Sequence, residues 1–173
     1  KSQLSKIAAA DPDALYVPSY YNTNALIAIQ AKEVGLDAQL LGADGWDGVL
    51  SALDENNKSA VEGVVFTNHF TATDPDAKVQ DFVTRYREAY GSDPSSFAAL
   101  GYDAGMMLFQ AIEAAGTTDS EAVKEALASV TYKGVTGEIS FGENGDANRT
   151  SAFIKKCNTE TAAWDLVREQ GVE

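Results

Sequence analysis

The sequence predicts an α/β protein organised around a parallel sheet. Short apolar runs of strand length recur at Ala14–Val17, Gln39–Leu41 and Val61–Thr67. The first two are separated by a stretch with helical spacing. From Asp74 onward, helices follow one another before the chain ends in a hairpin pattern. Two strands joined by a helix form one right-handed parallel crossover unit.

The first residues, KSQLSKIAAADPD, read as the middle of an amphipathic helix with Leu4 and Ile7 on one face. No strand precedes it, so a piece of a longer fold is expected. Ala14–Val17 is stopped by Pro18, and Gln39–Leu41 by Gly42. Between them, Asn22 or Thr23 is expected to cap a helix with Ala25, Leu26, Ala28 and Ile29 among its apolar positions, and Gly35 to end it. Ligands of open parallel sheets sit outside the carboxyl ends of the strands. Those ends carry Ser19-Tyr20-Tyr21 and Ala43-Asp44-Gly45-Trp46-Asp47, aromatics beside a carboxylate, which suit a small cation-bearing ligand.

A short helix through Val49, Leu50 and Leu53 is expected next, then the third strand. Asn68–Thr73 is a polar connection, and Asp74-Pro75 a cap and first-turn pair. Val79, Phe82, Val83, Tyr86 and Tyr90 then recur at helical spacing up to Gly91. A second helix from about Ser96 would place Phe97, Leu100, Ala104, Leu108, Ala111 and Ile112 on one face and stop at Gly116. Thr118-x-x-Glu121 fits a capping box for a third, through Val123 and Leu127. These helices need a sheet that the sequence itself does not supply. Gly137–Phe141 is a short strand and GENGDANR a polar turn. Ser151–Cys157 and Ala162–Arg168 complete a hairpin that buries Phe153, Ile154, Trp164 and Leu166.

The 173 residues carry a formal charge of −13 and are 45% hydrophobic. That acidity argues against nucleic acid and anionic membrane surfaces, because no basic stripe exists to meet phosphates. One cysteine, Cys157, excludes an internal disulfide, and one histidine, His69, excludes a multi-histidine metal site. No GxSxG or phosphate-loop motif is present, so catalysis lacks its usual groups. No cofactor is called for.

Five stretches, taken in order, resemble one family: ADPDALYVPSYY, AKEVGLDAQLLGADGWD, EGVVFTNHF, FVTRYREAYGSDPSSFAALGYDAGMMLFQAIEAAG and GEISFGENGDANR. Together they resemble the C-terminal half of the branched-chain amino-acid (Leu/Ile/Val) substrate-binding proteins of ABC transporters, which have the type I periplasmic-binding-protein fold. The resemblance implies a Rossmann-like, two-lobed protein with hinge-connected parallel sheets, of which only the C-terminal portion is in hand. Residues 1–67 and 147–173 would form most of one lobe, 70–143 part of the other, and 68–71 and 143–146 two hinge crossings. It further implies no enzymatic activity, an extracytoplasmic location (periplasmic, or lipoprotein-anchored at the cell surface), an amino-acid ligand and a membrane permease as partner. The missing N-terminal half, or another copy of the chain, would cover its open faces. A ligand-sensing domain of a receptor or regulator is the alternative use of the same fold.

By the same resemblance, Asp44 would hold the ligand ammonium and Tyr20 would pack on the ligand; the family often has Glu where this chain has Asp44. The residues that hold the ligand carboxylate would precede this chain. Read from the sequence alone, Asp44 is a turn residue between glycines, bonding its own backbone; the ligand role comes with the strand-end position and the resemblance. Tyr20 or Tyr21 could instead plug the sheet edge. Trp46 is expected to cover the lobe surface or cleft rim, and Asp47 to cap a helix. His69 is a hinge or cleft-lining residue, or simply a hydrogen-bonded histidine. Phe70 is a candidate to line the cleft. Tyr102 and Asp103 start or pack a helix, and Cys157 is a buried, inert thiol.

Overall fold

The computed structural model describes residues 1–149 and 151–171. It forms two compact units: Lys1–Asn68 with Phe153–Gln170, and a second made mostly of His69–Ala152.

The first unit is a mixed five-stranded sheet in the order β1-β2-β3-β7-β8. Strands β1 (Ala14–Val17), β2 (Gln39–Gly42) and β3 (Val65–Asn68) are parallel, with Ala14 opposite Gln39 and Leu41 opposite Val65. Strand β7 (Ser151–Asn158) runs antiparallel to β3, pairing Phe66 with Lys155, and β8 (Ala163–Gly171) lies at the edge. The α/β class and the closing pair of strands are as the sequence predicts, except that Leu166, expected in the core, is exposed. The third strand starts later, because Lys58–Val61 winds into a 3-10 turn. Val49–Ala52 is also a 3-10 turn rather than a longer helix.

Helix α1 (Ser2–Ala8) buries Leu4. The crossover helix α2 (Tyr21–Glu33) starts from Tyr20, so neither Asn22 nor Thr23 caps it. Gly35, at φ +71°, ends it as expected. Its buried stripe is Asn24, Ala25, Ala28 and Ala31, whereas Leu26 is exposed. Small residues on that stripe bring the helix close to a core of Val17, Leu40, Trp46, Val49, Val61 and Phe66. Trp164 closes it edge-to-face on Phe66, with ring centroids 4.7 Å apart.

In the second unit, α3 (Ala77–Tyr90) is capped by Asp76, whose carboxylate accepts from the Lys78 amide at 2.8 Å. Asp74, the expected cap, instead accepts from the Asp76 amide and shapes the entry turn. Ser95 caps α4 (Ser96–Ala115), and Gly116 ends it at φ +65°. Asp119 caps α5 (Ser120–Ala128) in place of the Thr118–Glu121 box. The buried stripe of α4 is Ser96, Ala99, Asp103, Met107 and Ala111, not the face through Leu100 and Leu108. Apolar residues surround this helix, so periodicity could not single out the packed side. Met106, Leu108 and Phe109 stay exposed.

A small antiparallel sheet of β4 (Tyr132–Gly134), β5 (Gly137–Phe141) and β6 (Ala147–Asn148) completes this unit. The turn before β6 is held internally, Asn144 donating to Asp146 at 2.7 Å. Because Ala147 pairs with Phe141 and Arg149 donates to Thr136, the division between units falls near residue 152; the sequence drew it at 147. Asp103, fully buried on α4, accepts from the Val135 and Thr136 amides and the Thr136 hydroxyl at 2.9, 2.8 and 2.6 Å. Gly134 is obligatory there, since a Cβ would lie 2.3 Å from that carboxylate.

Candidate functional site

The parallel strands β1 and β2 end side by side, and their loops carry four of the candidate residues. Tyr20 takes the extended conformation at the start of α2 and is 68% exposed. Tyr21 opens the helix, 38% exposed, and its ring lies near Gly48. Asp44 begins a 3-10 turn, Asp44–Trp46, and is half-buried; its carbonyl accepts from the Asp47 amide at 2.9 Å.

Two glycines let these loops meet. A Cβ on Gly45 would sit 2.1 Å from the Ser19 carbonyl oxygen and 3.3 Å from the Tyr20 Cα, so the two backbones are in direct contact. A Cβ on Gly42 would collide with the Trp46 indole at 2.0 Å. The G-x-D-G pattern around Asp44 is therefore a packing requirement as well as a turn signal. It holds half-buried Asp44 and exposed Tyr20 on two loops in backbone contact; a carboxylate can accept hydrogen bonds from an ammonium, and an aromatic ring can cover an apolar chain.

Trp46 does not cover a surface. It is 0% exposed, and its indole N–H donates to the Val17 carbonyl across the strand ends at 3.0 Å. It supports the wall from behind. Asp47 and Lys155 are both buried; burial pushes the Lys155 ammonium below its usual range, and the charge of Asp47 opposes that shift.

His69 and Phe70 begin the second unit. His69 is half-buried. Phe70 is a core residue, packed edge-to-face on Phe82 with centroids 6.1 Å apart, so its ring is spent on the fold. Burial pushes the Cys157 thiol up to about 12, which agrees with the inert reading. Among the described residues, no group of three His, Cys, Asp or Glu side chains could hold a metal, and no helix is long and apolar enough to cross a membrane.

Sequence reasoning missed Asn24. Its buried amide Nδ2 donates to the Ser19 carbonyl at 2.7 Å and the Gly45 carbonyl at 3.3 Å, tying both loops together. The available signal was an amide in register with Ala28 and Ala31 on the apolar side of a helix.

Comparison with known proteins identifies the family and the fold. The profile of a family described as "Periplasmic binding protein" matches residues 1–161. The chain is 33% identical over 144 residues to the leucine-, isoleucine-, valine-, threonine- and alanine-binding protein of Pseudomonas aeruginosa, covering 83% of this chain and 38% of that one. A leucine-binding protein of Thermotoga maritima superposes with a TM-score of 0.80 at 34% identity, over 97% of this chain and 47% of its own. The branched-chain amino-acid transporter substrate-binding protein of Streptococcus pneumoniae, solved with isoleucine, gives 0.80 at 30% identity, over 99% and 48%. The chain thus spans less than half the length of these relatives. Its mixed α/β sheet is that of type I periplasmic binding proteins. The chain belongs to the periplasmic binding protein family, among relatives that are branched-chain amino-acid substrate-binding proteins.

Proposed function

We propose that this chain is part of the extracytoplasmic solute-binding component of an ABC importer, selective for an aliphatic or branched-chain amino acid. One observation carries the reading: half-buried Asp44 and exposed Tyr20 lie at the carboxyl ends of adjacent parallel strands, on loops whose backbones touch at Gly45. In this reading Asp44 accepts the ligand ammonium and the Tyr20 ring covers its side chain, with Tyr21 beside them. A charge-assisted hydrogen bond of this kind is stronger than a neutral one, and a carboxylate buried without a cation is costly. The site therefore tests for a free amino group.

The ligand would bridge two lobes, favour their closed state and so present that state to a permease. Segment 68–71 would be one crossing between the lobes, with a second at the end of the polar stretch 143–152. His69 would serve the first crossing. Residues binding the ligand carboxylate would come from the part of the full-length protein outside this sequence. The role is binding and delivery, without turnover.

Calorimetric titration of the full-length protein with leucine, isoleucine, valine, alanine and glutamate tests this. Micromolar binding of an aliphatic amino acid, lost in Asp44→Ala, is the expected result. Binding that survives the substitution returns Asp44 to the turn. Absence of binding across the panel overturns the ligand class.

A further inference from the structure

Asn24 contacts both loops of the candidate site without facing the solvent. It lies in the first turn of α2, with 0% exposure. Its backbone amide donates to the Tyr20 carbonyl at 2.8 Å. Its side-chain amide, with two hydrogens to give, donates to the Ser19 carbonyl at 2.7 Å and the Gly45 carbonyl at 3.3 Å. The first of these acceptors directly precedes Tyr20, and the second directly follows Asp44. One residue thus holds the backbone on either side of the pair.

The placement is unfavourable for the helix alone. Asn24 shares its stripe with Ala25, Ala28 and Ala31, where alanine would have the better helix propensity. Its Oδ1 is also buried and meets no donor among the described protein groups. A buried acceptor left in that condition calls for a reason. Here the reason is the two donors, which no apolar residue of that size can supply. The same two bonds fix which way the amide points, because a reversed amide would set its oxygen against two carbonyls.

We propose that Asn24 is a positioning residue for ligand binding: by bridging Ser19 and Gly45 it sets the separation and orientation of Tyr20 and Asp44. This rests on the reading that those two residues touch the ligand. Removing the bridge releases the Asp44 turn from the Tyr20 loop. Asp44 then spends part of its time away from the ammonium, and affinity falls by more than the loss of fold stability explains.

A double-mutant cycle on the full-length protein separates positioning from folding. Leucine affinity is measured by calorimetry and the thermal midpoint by scanning, for the parent, Asn24→Ala, Asp44→Asn and the double variant. The expected result is a loss of about tenfold or more for Asn24→Ala in the parent, shrinking to roughly threefold or less in the Asp44→Asn background. The fall in thermal midpoint should be the same in both backgrounds. Asn24→Ser keeps one donor and should bind with intermediate affinity; it also supplies the measurement if Asn24→Ala fails to fold. A parallel cycle with Tyr20→Leu serves if Asp44→Asn binds too weakly to titrate. Equal fold-losses in both backgrounds overturn the positioning role alone and leave the amino-acid site standing. A parent that binds no amino acid overturns the site and the positioning role together.

Discussion

Gly45→Ala is the most direct perturbation of the contact between the two loops. The added methyl would lie 2.1 Å from the Ser19 carbonyl oxygen and 3.0 Å from its carbon, both of them backbone atoms. No flexible side chain can swing aside, so the Asp44 turn must retreat by roughly 1.3 Å or more before the contact becomes ordinary. Overpacking of this kind typically costs about 1–3 kcal/mol. The retreat also lengthens the 3.3 Å bond from Asn24 to the Gly45 carbonyl past its useful range. A hydrogen bond lost there adds about 1 kcal/mol. The expected destabilisation is therefore about 2–4 kcal/mol, read as a lower urea midpoint at unchanged slope. Asp44 moves with the turn, and a displacement near 1 Å at a charge-assisted contact predicts an affinity loss of roughly ten- to a hundredfold. A variant within about 0.5 kcal/mol of the parent, with unchanged leucine affinity, would refute the account, since that is the range of a surface substitution.

Two further predictions concern other parts of the chain. Asp103→Ala strips three donors of their acceptor in a buried setting, with an expected loss of about 3–5 kcal/mol by urea unfolding. Asp103→Asn retains one acceptor oxygen and should lose less; equal losses would argue against the hydrogen bonds as the cause. Glu62 accepts from the Thr159 hydroxyl and amide at 2.6 and 2.7 Å, which hold its carboxyl below the usual range. A depressed pKa in the folded state gives stability that is present above the unfolded value and lost as pH falls through the folded one. The gap in thermal midpoint between parent and Glu62→Gln should accordingly be open near neutrality and close in acid. A gap that stayed constant down the acid range would assign the effect to packing.

What the sequence made legible was local. Strand-length runs, Gly35 and Gly116 as helix stops, and the closing hairpin all depend on neighbours a few residues away. The two strand-end loops were legible too, because parallel crossovers dictate where loops gather. Side-chain roles set by distant partners were not. Trp46 reads as a surface aromatic until Val17, 29 residues earlier, is seen to accept its N–H. Phe70 sits in a polar connection by sequence, yet its ring fills the core beside Phe82. Asn22 and Thr23 were better caps by chemistry than Tyr20, but the close approach of the two loops fixes where α2 begins. Asn24 gained its importance from an acceptor 21 residues away. Helix α4 shows the converse limit: with apolar residues all round, its period is clear and its packed face is not.

The buried indole behind Asp44 has an optical consequence. The chain has two tryptophans, and they occupy different surroundings: Trp46 is sealed in the core with its N–H engaged, while Trp164 stands on an edge strand against Phe66. Shielded from water, Trp46 should emit at short wavelength, and its emission is sensitive to charge and motion in the turn it anchors. In a Trp164→Phe background, the tryptophan emission, excited beyond the tyrosine band, would come from one residue two positions beyond the proposed ammonium acceptor. On the proposed site, that emission would serve as an intrinsic, label-free reporter of ligand occupancy.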